Sequence, residues 1–256
     1  MNWYREQWDK AATDTFDEKL KSIQGLAWLP WVGKNYDKFK VMIIAESHYV
    51  STDDRSQVEA KKMEYLADAL STREVVAEYP LHGYDAGWVN HAGRRNNPTF
   101  DNISRVLCGS ALLDGKEKDK RFELWSRVAY MNFIQRPMWY SKTHGQERPV
   151  EEDRTIGWRA TLEVMRVLEP DICIFTGLEA SIEFDQYMQA NAVSASALKT
   201  HQKIGGSYPR SAIVHLNGKD VLLRFTRHPN RYFAWQTWRN FVFDGHEDLQ
   251  NRMANL

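Results

Sequence analysis

Four apolar runs of strand length stop abruptly at polar or turn residues along this chain. Each run is rich in β-branched or aromatic residues, which favour extended backbone packed between other layers. Because the runs are short and bounded by polar residues, we predict a strand at each of them. The predicted strands are Val41 to Ala45, Val128 to Ile134, Ile172 to Phe175 and Val221 to Phe225.

Apolar residues at helical spacing separate these runs, notably between Val58 and Leu70 and between Trp158 and Leu168. A third helix is predicted to begin near Pro98, with Thr99 or Asp101 as its N-cap. Strands that alternate with helices are typical of a parallel sheet covered on both faces. We therefore predict an α/β fold, a three-layer α/β/α sandwich with a central, mostly parallel sheet.

Three segments add to this single predicted domain, which spans residues 1–256. Aromatic residues near helical spacing predict an N-terminal helix, so that residues 1–36 form a helix and loop appended to the domain. Asn217-Gly218 lies between two apolar runs and predicts a β-hairpin, which makes the sheet mixed. Residues 191–208 are rich in Ser, Ala, Gly and Gln and predict a mobile insertion.

Composition restricts the function more by what it excludes than by what it indicates. The 256 residues include 34 basic and 34 acidic side chains, so phosphate binding would need a local basic patch. Two cysteines exclude a disulfide framework or a four-cysteine metal site. No signal-peptide-like start and no run of about 18 apolar residues is found. We expect a cytoplasmic monomer with no membrane partner, no metal and no cofactor.

Polar residues follow the predicted strands and mark a candidate site. Glu46 to Tyr49 follow the first strand, Asn132 lies near the end of the second, and His228 follows the last. Ligands of open parallel sheets bind beyond the carboxyl ends of the strands. We therefore predict a cleft shared by a carboxylate, two imidazoles, an amide and several guanidinium groups.

Four sequence motifs occur near these strand ends in a recognisable order. They are A-E-S-H-Y after the first strand, R-N-N-P-T-F-D-N-I, M-N-F-I-Q-R-P followed by R-P-x-E-E-D, and R-H-P-N-R-Y-F. Over roughly residues 41–232 the chain resembles the uracil-DNA glycosylase superfamily, and the order of motifs is similar to that of family 4. The chain departs from the superfamily at Ser47, His48 and Asn230, and the iron-sulfur cysteines of family 4 are absent.

This resemblance implies a hydrolase that cleaves the N-glycosidic bond of uracil, or of another deaminated or damaged base, flipped out of DNA. It implies that Glu46 and His228 are catalytic, Asn132 reads the base and Tyr49 walls the pocket. Arg231 or Tyr232 occupies the wedge position. The other residues assigned to the substrate are Ser47, His48, Phe100 and Asn230, and those assigned to the nucleic acid include Arg136, Arg148 and Arg227.

Two other functions remain open at this point. The same fold can carry a non-catalytic nucleic-acid or nucleotide-binding protein. Ser47 could also be the nucleophile of an esterase, with His48 or His228 as its base, although the chain lacks the G-x-S-x-G motif of many such enzymes.

Overall fold

A seven-stranded sheet lies at the centre of the fold in the computed structural model, which describes residues 8–82, 97–110, 117–230 and 232–256. The spatial order of its strands is β1-β4-β2-β7-β10-β9-β8, and a separate small sheet has the order β3-β5-β6. The strands are β1 Trp31–Val32, β2 Val41–Ala45, β3 Tyr49–Ser51, β4 Val128–Asn132, β5 Met138–Ser141, β6 Gly145–Gln146, β7 Ile172–Thr176, β8 Lys199–Thr200, β9 Arg210–Leu216 and β10 Lys219–Thr226.

The four predicted strands are the four parallel strands in the middle of this sheet. The hairpin is also confirmed, since β9 and β10 pair antiparallel around a two-residue turn. Asn217 and Gly218 both have positive φ, 52° and 75°, as a type I′ turn requires. The fold is therefore mixed α/β with a parallel centre and antiparallel edges.

Helices pack on both faces of the sheet. Side chains alternate along β2, so that Val41, Ile43 and Ala45 join one apolar cluster while Met42 and Ile44 join the other. Helices α5, α6, α9 and α10 contribute to the first cluster, and α7 and α8 to the second. The helices are α1 Asp17–Lys21, α2 Tyr36–Phe39, α3 Val58–Ala67, α4 Ser71–Val76, α5 Pro98–Cys108, α6 Lys118–Ser126, α7 Glu151–Leu168, α8 Phe184–Ala190, α9 Trp235–Phe243 and α10 Glu247–Ala254.

The N-terminal region differs from the predicted appendage. Residues 1–7 lie outside the described residues, and the helix that includes residues 8–11 stops before Ala12, which bridges to Gly33. Trp31 and Val32 are fully buried and form β1, paired antiparallel with β4. The prediction that residues 1–36 are only appended is therefore wrong for β1, because two large apolar side chains stabilise it as an edge strand of the main sheet.

Two further predictions can be compared with the structure. Within residues 191–208, predicted as a mobile insertion, β8 pairs with β9 and Ala195 bridges to Val214, so this segment includes an edge strand of the main sheet. The N-cap of α5 is neither Thr99 nor Asp101 but Asn97, whose side chain accepts a hydrogen bond of 3.1 Å from the Thr99 amide. In the part of the chain that the structure describes, no helix has both the length and the apolar character needed to cross a bilayer.

Candidate functional site

The carboxyl ends of the four parallel strands lie level with one another. Ala45 is paired with both Asn132 and Thr176, and Thr176 is paired with Thr226. With about 4.8 Å between neighbouring strands, the backbones of Asn132 and Thr226 are about 14 Å apart. The residues that follow these strands therefore share one rim, as the sequence predicts.

Glu46 is held at this rim by close contact with Gly177. A Cβ atom on Gly177 would lie 2.2 Å from the Glu46 Oε1 atom and 2.3 Å from its Cγ and Cδ atoms. The backbone N–H groups of Leu178 and Glu179 lie near the carboxylate and favour its ionised form. Gly177, which follows Thr176 at the end of β7, thus leaves space for the Glu46 carboxylate. Any side chain at position 177 would occupy that space.

The surroundings of Glu46 influence its charge in opposite directions. Burial raises the pKa of the carboxyl group, and the nearby negative charge of Glu179 raises it further. The two N–H groups and the positive charge of Arg148 act against this rise. Glu179 is itself paired with Arg154 at 3.0 Å. A carboxylate poised between these influences is a reasonable candidate for a catalytic group.

Tyr49 and Arg148 lie on the same side of the rim as Glu46. The Tyr49 hydroxyl accepts a hydrogen bond from Gln146 Nε2. Burial raises the pKa of this phenol, and the charges of Glu46 and Arg148 also act on it. Arg148 is exposed, so its guanidinium group is available to solvent beside the carboxylate. Glu46, Tyr49 and Arg148 are thus close enough for their charges to influence one another.

Asn132 carries a buried amide that lacks a partner. Its side chain is 2% exposed, and its Nδ2 atom makes no hydrogen bond. The adjacent backbone is held, because Gln135 Nε2 donates to the Asn132 carbonyl oxygen. Buried amides are normally hydrogen-bonded, so an orphan donor at a strand end indicates a place where a ligand atom would bind.

Asn132 and Glu46 approach the rim from different faces of the sheet. Asn132 follows the alternation of Val128 and Tyr130, which points it toward the face covered by α5. Glu46 is one residue beyond Ala45, and its carboxylate lies over Gly177. A ligand that contacts both groups would have to cross the ends of β2 and β4.

His228 and Asn230 belong to the loop that follows β10. Burial, and then the charge of Arg227, lowers the pKa of the His228 imidazole, so the ring is neutral at pH 7 and carries one N–H donor. Asn102 Nδ2 fixes the loop by donating to the carbonyl oxygens of Pro229 at 3.2 Å and Asn230 at 2.9 Å. Asn230 itself is exposed.

His48 and Phe100 are placed in the interior rather than at the rim. His48 is 6% exposed, its Nε2 atom lies 3.1 Å from Thr72 Oγ1, and its ring contacts Trp28 edge-on at 4.7 Å between centroids. Phe100 stacks on Tyr79 within the apolar cluster under α5. Protein side chains already surround both residues. We therefore no longer assign His48 and Phe100 to substrate binding.

Arg136 also requires a revision. Its Nε and Nη2 atoms donate to the two oxygens of Asp153 at 2.6 and 2.8 Å, and its Nη1 atom donates to Glu147 at 2.6 Å. Each guanidinium nitrogen is thus committed to a carboxylate of the protein. This geometry fixes the loop before α7 and argues against the predicted phosphate contact.

The remaining predicted nucleic-acid contacts have different surroundings. Arg227 is partly buried and donates to the Gly205 carbonyl oxygen at 2.9 Å. Arg231 lies outside the described residues. Tyr232 is 95% exposed and has a φ of 61°, which is uncommon for a residue with a side chain. A rigid aromatic ring thus projects into solvent four residues after His228.

Ser47 has no histidine partner. Its Oγ atom is buried, and in the described part of the chain neither His48 nor His228 is hydrogen-bonded to it. The arrangement gives the esterase alternative no support, because that chemistry needs a base within hydrogen-bond reach of the hydroxyl. Across the described ranges, no three His, Cys, Asp or Glu side chains are placed to hold a metal ion.

Asp101 is a residue whose placement the sequence did not reveal. It is 2% exposed in the first turn of α5, and neither of its carboxyl oxygens has a hydrogen-bond partner. Burial raises its pKa to about 7 despite the nearby Arg105. The sequence offered it only as a helix cap, since nothing in a local pattern shows that a helical carboxylate faces inward.

The space beneath α5 is filled next to the threonines that end β7 and β10. A cavity of about 10 Å³ lined by Thr176, Thr226, Pro229 and Phe233 is large enough for one water molecule. This cavity therefore has no room for an organic ligand as the side chains are placed.

No protein-family model matches this chain, and no curated protein matches it either.

Proposed function

We propose that this protein is a DNA glycosylase-like hydrolase on a fold like that of the uracil-DNA glycosylases. It would release uracil, or another deaminated or damaged base, from a nucleotide flipped out of DNA. The observation that carries the proposal is the Asn132 amide without a hydrogen-bond partner. On the neighbouring strand, the Glu46 carboxylate packs against Gly177.

The Asn132 amide supports base recognition. An N–H donor buried without a partner costs free energy in the unbound protein, roughly 1–3 kcal/mol. A base carbonyl placed against Nδ2 would recover this free energy. Because the donor is already desolvated and fixed, it discriminates between bases that present an acceptor and bases that do not.

The Glu46 carboxylate supports the chemical step. When the N-glycosidic bond breaks, its electron pair leaves with the base and positive charge develops on the sugar. Glu46 approaches the rim from the face opposite to Asn132, so a nucleotide lying across the strand ends would place its sugar near the carboxylate. There Glu46 would stabilise the cationic sugar and accept a proton from the attacking water.

His228 would assist departure of the base. Its neutral ring can donate an N–H hydrogen bond to the base oxygen on which negative charge accumulates. A neutral ring suits this role, because its N–H can stabilise the leaving anion through a hydrogen bond without a proton transfer. The Asn102 contacts to Pro229 and Asn230 hold the loop in a fixed position.

DNA is the proposed partner, and two exposed side chains support this proposal. Arg148 offers an exposed guanidinium group beside the carboxylate. Tyr232 offers an exposed ring that could stack in the gap left by a flipped base. Both side chains are exposed, so both can contact a DNA strand that lies over the rim.

The test is base release from oligonucleotides that carry uracil, hypoxanthine or xanthine, followed by alkali to cleave abasic sites. Strand breaks with wild type, and at least a hundredfold fewer with Glu46→Gln, support the proposal. Tight binding without any release would support the non-catalytic nucleic-acid-binding alternative instead.

A further inference from the structure

The carboxyl group of Asp101 is buried without any partner among the protein groups. Its side chain is 2% exposed and both Oδ atoms lack a hydrogen bond. The nearby Arg105 does not bond to it, because Arg105 Nη1 donates to Asn102 Oδ1 at 3.1 Å. Unpaired buried carboxyl groups are rare because desolvation is costly, so this one calls for a ligand or a function.

The position of Asp101 in α5 places it close to the end of β4. Phe100, the preceding residue, contacts the Tyr130 ring at 5.8 Å between centroids. Asn102, the following residue, bonds to the loop after β10. Asp101 therefore lies in a helical turn that spans from β4 to the His228 loop, on the face of the sheet toward which Asn132 projects.

The two orphan groups, which lie on the same face of the sheet, have complementary hydrogen-bonding character. The Asn132 Nδ2 atom can only donate, and above its pKa of about 7 the Asp101 carboxylate can only accept. A ligand that satisfies both must present an acceptor next to a donor. The lactam edge of a deaminated base, a carbonyl adjacent to a ring N–H, has this arrangement.

We infer that Asp101 and Asn132 together read the lactam edge of the flipped base. This inference rests on the proposed function and adds a selectivity to it. Cytosine and adenine present an unprotonated ring nitrogen where uracil and hypoxanthine present an N–H. That ring nitrogen and the Asp101 carboxylate are both acceptors, so they cannot hydrogen-bond to each other. Cytosine and adenine are therefore rejected.

The experiment measures binding separately from base release. Single-stranded oligonucleotides carry one 2′-fluoro-deoxyuridine or one 2′-fluoro-deoxycytidine, in which fluorine opposes the oxocarbenium-like transition state and slows cleavage. Wild type, Asp101→Asn and the exposed control Asp248→Asn are compared by fluorescence anisotropy at pH 8, where the Asp101 carboxylate is mostly ionised. Thermal unfolding of each protein at pH 8 gives an independent measure of folding.

Wild type and Asp248→Asn are expected to prefer uracil over cytosine at least tenfold. Asp101→Asn should reduce this preference tenfold or more, because an amide can donate to the cytosine ring nitrogen. Its unfolding temperature should be unchanged or higher at pH 8, since a buried unpaired carboxylate has been removed.

An unchanged preference for uracil over cytosine in Asp101→Asn would overturn the inference. An equal loss of affinity for both oligonucleotides, together with a lower unfolding temperature, would also overturn it, because it would indicate a structural role for Asp101. No preference in the wild type would also overturn it. Selective binding of uracil without release of the base from an unmodified deoxyuridine substrate would leave the inference standing and refute the glycosylase proposal.

Discussion

Replacing Gly177 with alanine should displace Glu46 while leaving the rest of the fold in place. The new Cβ atom would lie 2.2 Å from Glu46 Oε1, whereas ordinary contacts between such atoms are about 3.5 Å. The close atoms belong to a flexible side chain, and Gly177 is not among the glycines with positive φ. The carboxylate, rather than the backbone, is therefore expected to move, by more than about 1 Å.

The size of the effect follows from the surroundings that Glu46 would leave. Moving away from Gly177 takes the carboxylate away from the Leu178 and Glu179 amide groups. A misplacement of about 1 Å in a reacting group can reduce a rate by about 100-fold. The same loss of N–H donors would raise the pKa of Glu46 further, because those donors favour the ionised form.

Two measurements check this prediction, and only one of them depends on activity. Single-turnover release of uracil should be at least about 100-fold slower in Gly177→Ala. Carboxyl ¹³C NMR should show a higher pKa for Glu46 in the variant than in the wild type. Gly33→Ala is the control, because its Cβ would lie 2.2 Å from the Ser126 carbonyl oxygen, at the end of α6 just before β4 and far from the rim.

Gly33→Ala is expected to unfold at a lower temperature without any change in the pKa of Glu46. Because the close atom there belongs to the backbone of Ser126, the overlap can be relieved only by a shift of the backbone. A folded Gly177→Ala variant with wild-type base release and an unchanged Glu46 pKa would refute the reasoning. The contact with Gly177 would then have no influence on the Glu46 carboxylate.

Three further predictions concern stability and DNA binding. Burial lowers the pKa of His48 to about 4, so between pH 6.5 and pH 4 the unfolded chain binds a proton at this residue while the folded protein does not. As the pH falls across that window, the free energy of unfolding should therefore decrease by roughly 3 kcal/mol in urea titrations. This decrease should be absent in His48→Phe. Arg148→Ala should weaken oligonucleotide binding and reduce the salt dependence of log K by about one phosphate contact, whereas Arg136→Ala should chiefly lower stability, because Arg136 pairs with Asp153; equal effects on binding would contradict this division. Tyr232→Ala should weaken binding to a duplex with a mismatched base by about 1–3 kcal/mol with no change in unfolding temperature, and unchanged affinity would exclude a stacking role.

The central strands were predictable because their signal is local. Val41 to Ala45 is a run of apolar residues that only a buried strand explains, and the structure gives the same bounds. The Asn217-Gly218 turn was predictable for the same reason, since both residues tolerate positive φ. Once parallel strands are recognised, the position of Glu46, Asn132 and His228 at one rim follows from the architecture.

Features that depend on distant partners were not predictable in this way. Arg136 is engaged by Asp153, which is 17 residues away, and a local pattern cannot show that pairing. The Trp31–Val32 strand is too short for a periodic signal and is stabilised by β4. Asp101 reads as an ordinary helical carboxylate until α5 is packed against the sheet. Burial of polar side chains is a property of tertiary structure, so the motifs alone could not show it.

The most direct test of the account is the release of base from a single-stranded oligonucleotide with one deoxyuridine, compared between wild type, Glu46→Gln and His228→Ala. The account predicts abasic sites with the wild type and rates at least about 100-fold lower in both variants, each folded as judged by thermal unfolding. Absence of release by the wild type from uracil, hypoxanthine and xanthine substrates alike, or wild-type rates in both variants, would contradict it.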